Sequence, residues 1–73
     1  MIKKYETAEI DCAVCAGKIE DTINALDGVM SAQLNFIMQT LTVEAEEKDF
    51  PKLEKAIVKA GRKVERNFEI TEI

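Results

Sequence analysis

Two hydrophobic periodicities alternate along this chain, and the order in which they alternate leaves few folds open. Residues 2 to 9 read as a strand, with Tyr5 and Thr7 facing a core while Lys4, Glu6 and Ala8 point outward. From Cys15 the spacing becomes helical. Cys15, Ile19, Thr22, Ile23 and Leu26 share one face, with Lys18, Glu20, Asp21 and Asn24 on the other, so a helix is expected over 15–26. Asp27-Gly28 supplies a stop, because glycine takes the left-handed conformation at little steric cost. In residues 29–35, Ala32 and Leu34 alternate with Gln33 and Asn35. In residues 40–46, Leu41, Val43 and Ala45 alternate with polar neighbours. These are two antiparallel strands joined at 36–39. Asp49 is the expected N-cap of a second helix and Pro51 fits its first turn. Leu53, Ala56, Ile57 and Ala60 form its apolar face, and Gly61 its end. Val64, Phe68 and Ile70 then face inward from a fourth strand, and Phe36 and Phe50 are core candidates.

The order strand, helix, strand, strand, helix, strand predicts an α+β fold: a ferredoxin-like βαββαβ sandwich with both helices on one face of a four-stranded antiparallel sheet. At 73 residues the chain has room for one domain, residues 1–73, and one core. A core of this size supplies only about 3–5 kcal/mol, so a bound ion should stabilise it measurably. The longest apolar run, Cys12 to Ala16, falls far short of the roughly 20 residues that span a bilayer, and no secretory signal is present. A cytoplasmic location is therefore expected, without membrane insertion. With a net charge of −4, three Phe and one Tyr, the chain offers no basic stripe for phosphates and little for base stacking. Nucleic acid is excluded as a partner.

The chemistry is concentrated in Asp11-Cys12-Ala13-Val14-Cys15-Ala16. The two cysteines are too few for a disulfide framework and are read as free thiols. With no histidine in the chain, a metal site here is built from sulfur, carboxylate and water. The pair falls between the first strand and the first helix, where unpaired N–H groups and the helix dipole favour thiolate. Two intervening residues let both sulfurs turn to one point. That makes a near-linear site for Cu(I), or half of a tetrahedral site for Zn(II) or Cd(II). Asp11 offers a hard oxygen that suits Zn(II); the bland alternative is an exposed loop acid or helix cap. A closed four-sulfur site would need two more cysteines, so the site is incomplete and exchangeable, as a carrier requires. A dithiol redox protein is the competing reading. Thioredoxin-like enzymes face their cysteines with a cis-proline before a strand, however, whereas Pro51 precedes a helix.

The cysteine pair at a helix start, with Ile19, Leu26, Gly28-Val29, Leu34-Asn35, Val43, Ala56-Ile57 and Lys59-Ala60-Gly61, resembles the heavy-metal-associated domain over nearly the whole chain. That family includes copper chaperones and cytosolic domains of metal-transporting P-type ATPases. The resemblance implies Cys12 and Cys15 as metal ligands and no catalysed reaction. The partner it implies is a metal-transporting ATPase or a metallochaperone. The Asp-Cys-Ala-x-Cys-Ala variant resembles that of zinc, cadmium and lead exporters, which favours Zn(II), Cd(II) or Pb(II) with Asp11 as third ligand; a Cu(I) chaperone is the alternative. Where the family has Gly-Met before the motif, this chain has Glu9 and Ile10. Ile10 keeps an apolar tether, and Glu9 offers a further oxygen. Arg62, where related copper proteins carry Lys, Tyr or Phe close to the metal, would offset the charge of a dithiolate. Its bland reading is a solvated surface arginine, and Lys18 has the same two readings.

Overall fold

A computed structural model of the protein describes all residues, 1–73. The elements are β1 (Ile2–Thr7), α1 (Ala13–Asn24), β2 (Val29–Asn35), β3 (Thr40–Ala45), a 3-10 turn (Glu47–Asp49), α2 (Phe50–Arg62) and β4 (Ile70–Glu72). The sheet runs β2-β3-β1-β4 with every pairing antiparallel, which is the expected βαββαβ sandwich. Tyr5 lies opposite Leu41, and Ala32 opposite Val43, so the inward positions of three strands meet in one layer. Ile19 and Ile23 of α1, and Phe50, Leu53 and Ile57 of α2, close over that layer with Phe68. All the inward strand residues read from the alternation are buried or half-buried.

Several boundaries differ from expectation, each for a local physical reason. β1 ends at Thr7 rather than residue 9, with one further bond in the β1–β4 register, from Ala8 N–H to the Glu69 carbonyl at 2.9 Å, before the chain leaves the sheet. Helix α1 begins two residues early, since Cys12 itself caps it, and ends at Asn24. The Asn24 side chain, though exposed, bonds to the sheet. Its Nδ2 donates to Ala32 O at 2.9 Å and its Oδ1 accepts from Ala32 N at 2.9 Å, while Glu20 Oε2 accepts from Leu34 N at 2.7 Å. One turn apart on α1, these two side chains cover the outer edge of β2, an edge otherwise open to pairing with another chain.

Gly28 does not end α1. It takes φ +95° in the turn that leads into β2, a value glycine adopts freely. Gly61 does not end α2 either: the helix continues to Arg62, and Gly61 is buried inside it. Its hydrogen faces the Phe68 ring, and a Cβ there would collide with Phe68 Cδ2 and stand 2.6 Å from Cε2 and Cγ. Asp49 makes no capping hydrogen bond, because the 3-10 turn runs into α2 with Asp49 already helical at φ −89°, ψ −15°. Pro51 fits the first turn as expected. The fourth strand is only Ile70–Glu72. Val64 and Phe68 lie in the connection that precedes it.

Candidate metal centre

The cysteines sit where a β-strand hands over to a helix N-terminus. Cys12, extended at φ −121°, ψ 118°, is the N-cap of α1, and its carbonyl accepts the first helical bond from Ala16 N at 3.0 Å. Its sulfur accepts from Cys15 N–H at 3.3 Å, the same bond that a serine or aspartate cap makes to the third helical residue. Cys15 therefore stands in the first turn, one turn of helix beneath Cys12. Cys12 is exposed and Cys15 half-buried, with Val14 67% exposed between them.

The two thiols are not equivalent. The Cys12 thiol is pulled below its ordinary value by the hydrogen bond that the Cys15 thiol donates to it. The backbone N–H of Cys15 acts the same way and, more weakly, so do the Val14 N–H and the charge of Lys18, while loss of solvation opposes them. Cys15 is pushed up, because it gives that hydrogen bond, is partly desolvated, and faces both the charge on Cys12 and the Glu65 carboxylate. Of the pair, Cys12 loses its proton more readily than Cys15, and an incoming cation displaces the protons that remain.

The flanking residues divide. Asp11 and Glu9 are exposed in the loop, and nowhere in the chain do three or more His, Cys, Asp or Glu side chains gather in a metal-holding cluster. Asp11 is thus adjacent in sequence to Cys12 but not drawn together with both sulfurs. Arg62 is committed elsewhere: its Nε donates to Phe68 O at 3.1 Å and its terminal nitrogen lies 3.6 Å from Glu69. The charges that act on the sulfurs are those of Lys18 and Glu65. Glu65, placed by its N–H bond to Gly61 O at 2.8 Å, was not legible as a site neighbour from its sequence position.

A residue of the β2–β3 turn supports the loop from behind. Gln39 Oε1 accepts from Ile10 N at 2.7 Å, and Gln39 Nε2 donates to Ile10 O at 3.1 Å and Phe36 O at 2.7 Å. The Ile10 side chain is buried in the core beneath. The expected apolar tether is therefore present, and a polar one lies beside it.

The heavy-metal-associated domain family model matches residues 6–63. Over 81% of its length the chain is 39% identical to a copper-exporting P-type ATPase of Bacillus subtilis (strain 168). Over 78% it is 35% identical to a zinc/cadmium/lead-transporting P-type ATPase of Escherichia coli (strain K12). It spans only 8% of the length of either transporter. Among solved structures, the N-terminal domain of PacS from Synechocystis PCC6803 superimposes with a TM-score of 0.75 at 25% identity, covering 100% of this chain and 97% of that one.

Proposed function

The chain belongs to the heavy-metal-associated domain family, and on that premise we propose that Cys12 and Cys15 bind one soft or borderline metal ion and hand it to a partner. The observation that carries this reading is the cap itself. A sulfur that serves as a helix N-cap lies against unpaired N–H groups and the positive end of the helix dipole, so the thiolate a metal requires is favoured before any metal arrives. No reaction is catalysed. With two cysteines and no histidine in the chain, the remaining coordination positions fall to Asp11, to water or to a partner's ligands. Transfer then proceeds by ligand exchange between thiolates, without release of the ion to water.

The favoured cargo is Zn(II), Cd(II) or Pb(II), with Asp11 turning toward the sulfurs to supply the third donor, a hard oxygen that suits a divalent ion. The reading places the module on the cytosolic side of a heavy-metal-transporting ATPase, or in a separate carrier that serves one. A second reading, delivery of Cu(I), is favoured by the copper exporter's 39% identity and by Asp11 standing apart from the sulfurs. Competitive titration of Zn(II), Cd(II) and Cu(I) against the wild type and Asp11→Ala separates the two. The divalent reading expects Asp11→Ala to weaken Zn(II) and Cd(II) but not Cu(I). Unchanged Zn(II) affinity beside a two-sulfur Cu(I) complex would reverse the assignment. Cys12→Ser and Cys15→Ser variants that still bind one metal at wild-type affinity would end the carrier reading altogether.

A further inference from the structure

We propose that Gln39, in the β2–β3 turn, is the positioning residue of the metal-binding loop, an inference that rests on Cys12 and Cys15 being the metal site. Between the end of β1 and the cap of α1 the chain crosses residues 8–12. Ala8 is tied to Glu69 O at the near end, and Cys12 is tied to Cys15 N and Ala16 N at the far end. In between, the backbone of Ile10 is held on both its N–H and its carbonyl by the single carboxamide of Gln39, at 2.7 and 3.1 Å. Only Asp11 separates that clamp from Cys12.

The chemistry of the clamp calls for an amide. One end must accept from an N–H while the other donates to two carbonyl oxygens, those of Ile10 and Phe36; a carboxylate fails the donating half of this and an apolar side chain fails both. The backbone argues the same way. Gln39 sits at φ +54°, a left-handed conformation that glycine would take with less strain. The turn by itself would be served by glycine, whereas the side chain serves the loop. The Gln39 carbonyl has a separate task, accepting from Thr7 N at 3.0 Å and Thr7 Oγ1 at 3.1 Å, so fold and loop can be perturbed independently.

Gln39→Gly removes the fork and leaves that carbonyl and the turn in place. Removing a group that orients a ligand from behind typically weakens metal binding by about 10–100-fold. Gln39→Gly is therefore expected to lower Cd(II) affinity by about tenfold or more and to speed release to a chelator by a similar factor. In the metal-free protein it should also accelerate hydrogen exchange at the Ile10 amide. Gln39→Glu, which sets a carboxylate against two carbonyls at neutral pH, should move all three readouts the same way, and it serves as the second variant if the first fails to fold. Thr7→Val, which loses a hydrogen bond in the same turn without touching Ile10, should lower the melting temperature while leaving affinity and release rate unchanged. The proposal is overturned if a folded Gln39 variant binds and releases Cd(II) as the wild type does, or if Ile10 exchange is unaltered. Failure of the wild type to bind metal would instead refute the functional reading, and Ile10 exchange in the metal-free protein would still decide the clamp.

Discussion

Glycine to alanine substitutions at two helical positions should have opposite effects, and the difference measures how closely Phe68 packs on α2. Inside a helix, alanine is preferred over glycine by about 1 kcal/mol. Gly17 in α1 has nothing within 4 Å of where a Cβ would stand, so Gly17→Ala should stabilise the domain by about 0.5–1 kcal/mol. At Gly61 the new Cβ would stand 2.6 Å from Phe68 Cε2 and Cγ, against the roughly 3.5–4.0 Å of an ordinary carbon contact. The Phe68 ring is 0% exposed and has no free space to enter, so relief requires α2 or the 63–69 connection to move. Overpacking costs about 1–3 kcal/mol, and contacts this short place Gly61→Ala in the upper part of that range, about 2–3 kcal/mol, so after the propensity gain the net loss is about 1–2 kcal/mol. In a domain this small that lowers the melting temperature by about 5–15 °C. Urea denaturation should show the midpoint falling for Gly61→Ala and rising for Gly17→Ala, with unchanged slopes. In a double-mutant cycle, Phe68→Leu should cost less in the Gly61→Ala background than alone. A Gly61→Ala midpoint that rises alongside that of Gly17→Ala would refute the reasoning. The test also bears on the site, because the connection that follows α2 carries Glu65, whose N–H bonds to Gly61 O and whose charge acts on Cys15.

Asn24→Ala should cost about 1–2 kcal/mol through the two bonds to Ala32, and should leave the β2 edge open, so that concentration-dependent light scattering appears where the wild type shows none. Iodoacetamide should alkylate Cys12 before Cys15, and Lys18→Gln should slow the reaction by removing the nearby positive charge; mass spectrometry of partially modified protein reads the order. Because metal must displace the Cys15 proton, affinity should rise with pH by about tenfold per unit for each proton released, and calorimetry in two buffers counts the protons. Burial and the bond to Glu54 at 2.9 Å push the Tyr5 phenol above its ordinary value. Above pH about 10 the unfolded chain loses that proton while the folded one keeps it, so stability should fall as pH rises there, and Tyr5→Phe should flatten the fall.

The alternation of Leu41, Val43 and Ala45, and the helical spacing of Ile19 and Ile23, were legible because one buried face imposes a period that local sequence must obey. The placement of the two thiols was legible in the same sense. Two cysteines three apart at a strand-to-helix change leave few places for their sulfurs, and the cap bond from Cys15 N–H follows from that placement. Charge partners were less legible. Arg62 was open to two readings, offsetting the charge of a dithiolate or standing solvated at the surface; Phe68 O and Glu69 engage its guanidinium, and Glu65 is the charged residue of this segment that acts on Cys15. A long charged side chain on a connecting segment selects among several partners, and sequence spacing does not rank them.

Sequence alone determined the element order, the inward residues, the two thiols and their place at the start of a helix, because each depends on neighbours within a turn or a strand. Only the tertiary structure decided that Asn24 and Glu20 cover the β2 edge, that Gly61 admits an aromatic ring rather than ending a helix, and that Gln39 holds Ile10 across 29 residues of sequence. Each of these joins groups that no local periodicity relates. Their partners are backbone N–H and carbonyl groups that every residue carries, or a space that every glycine leaves, so the sequence marks the capacity for such contacts and folding selects which are made.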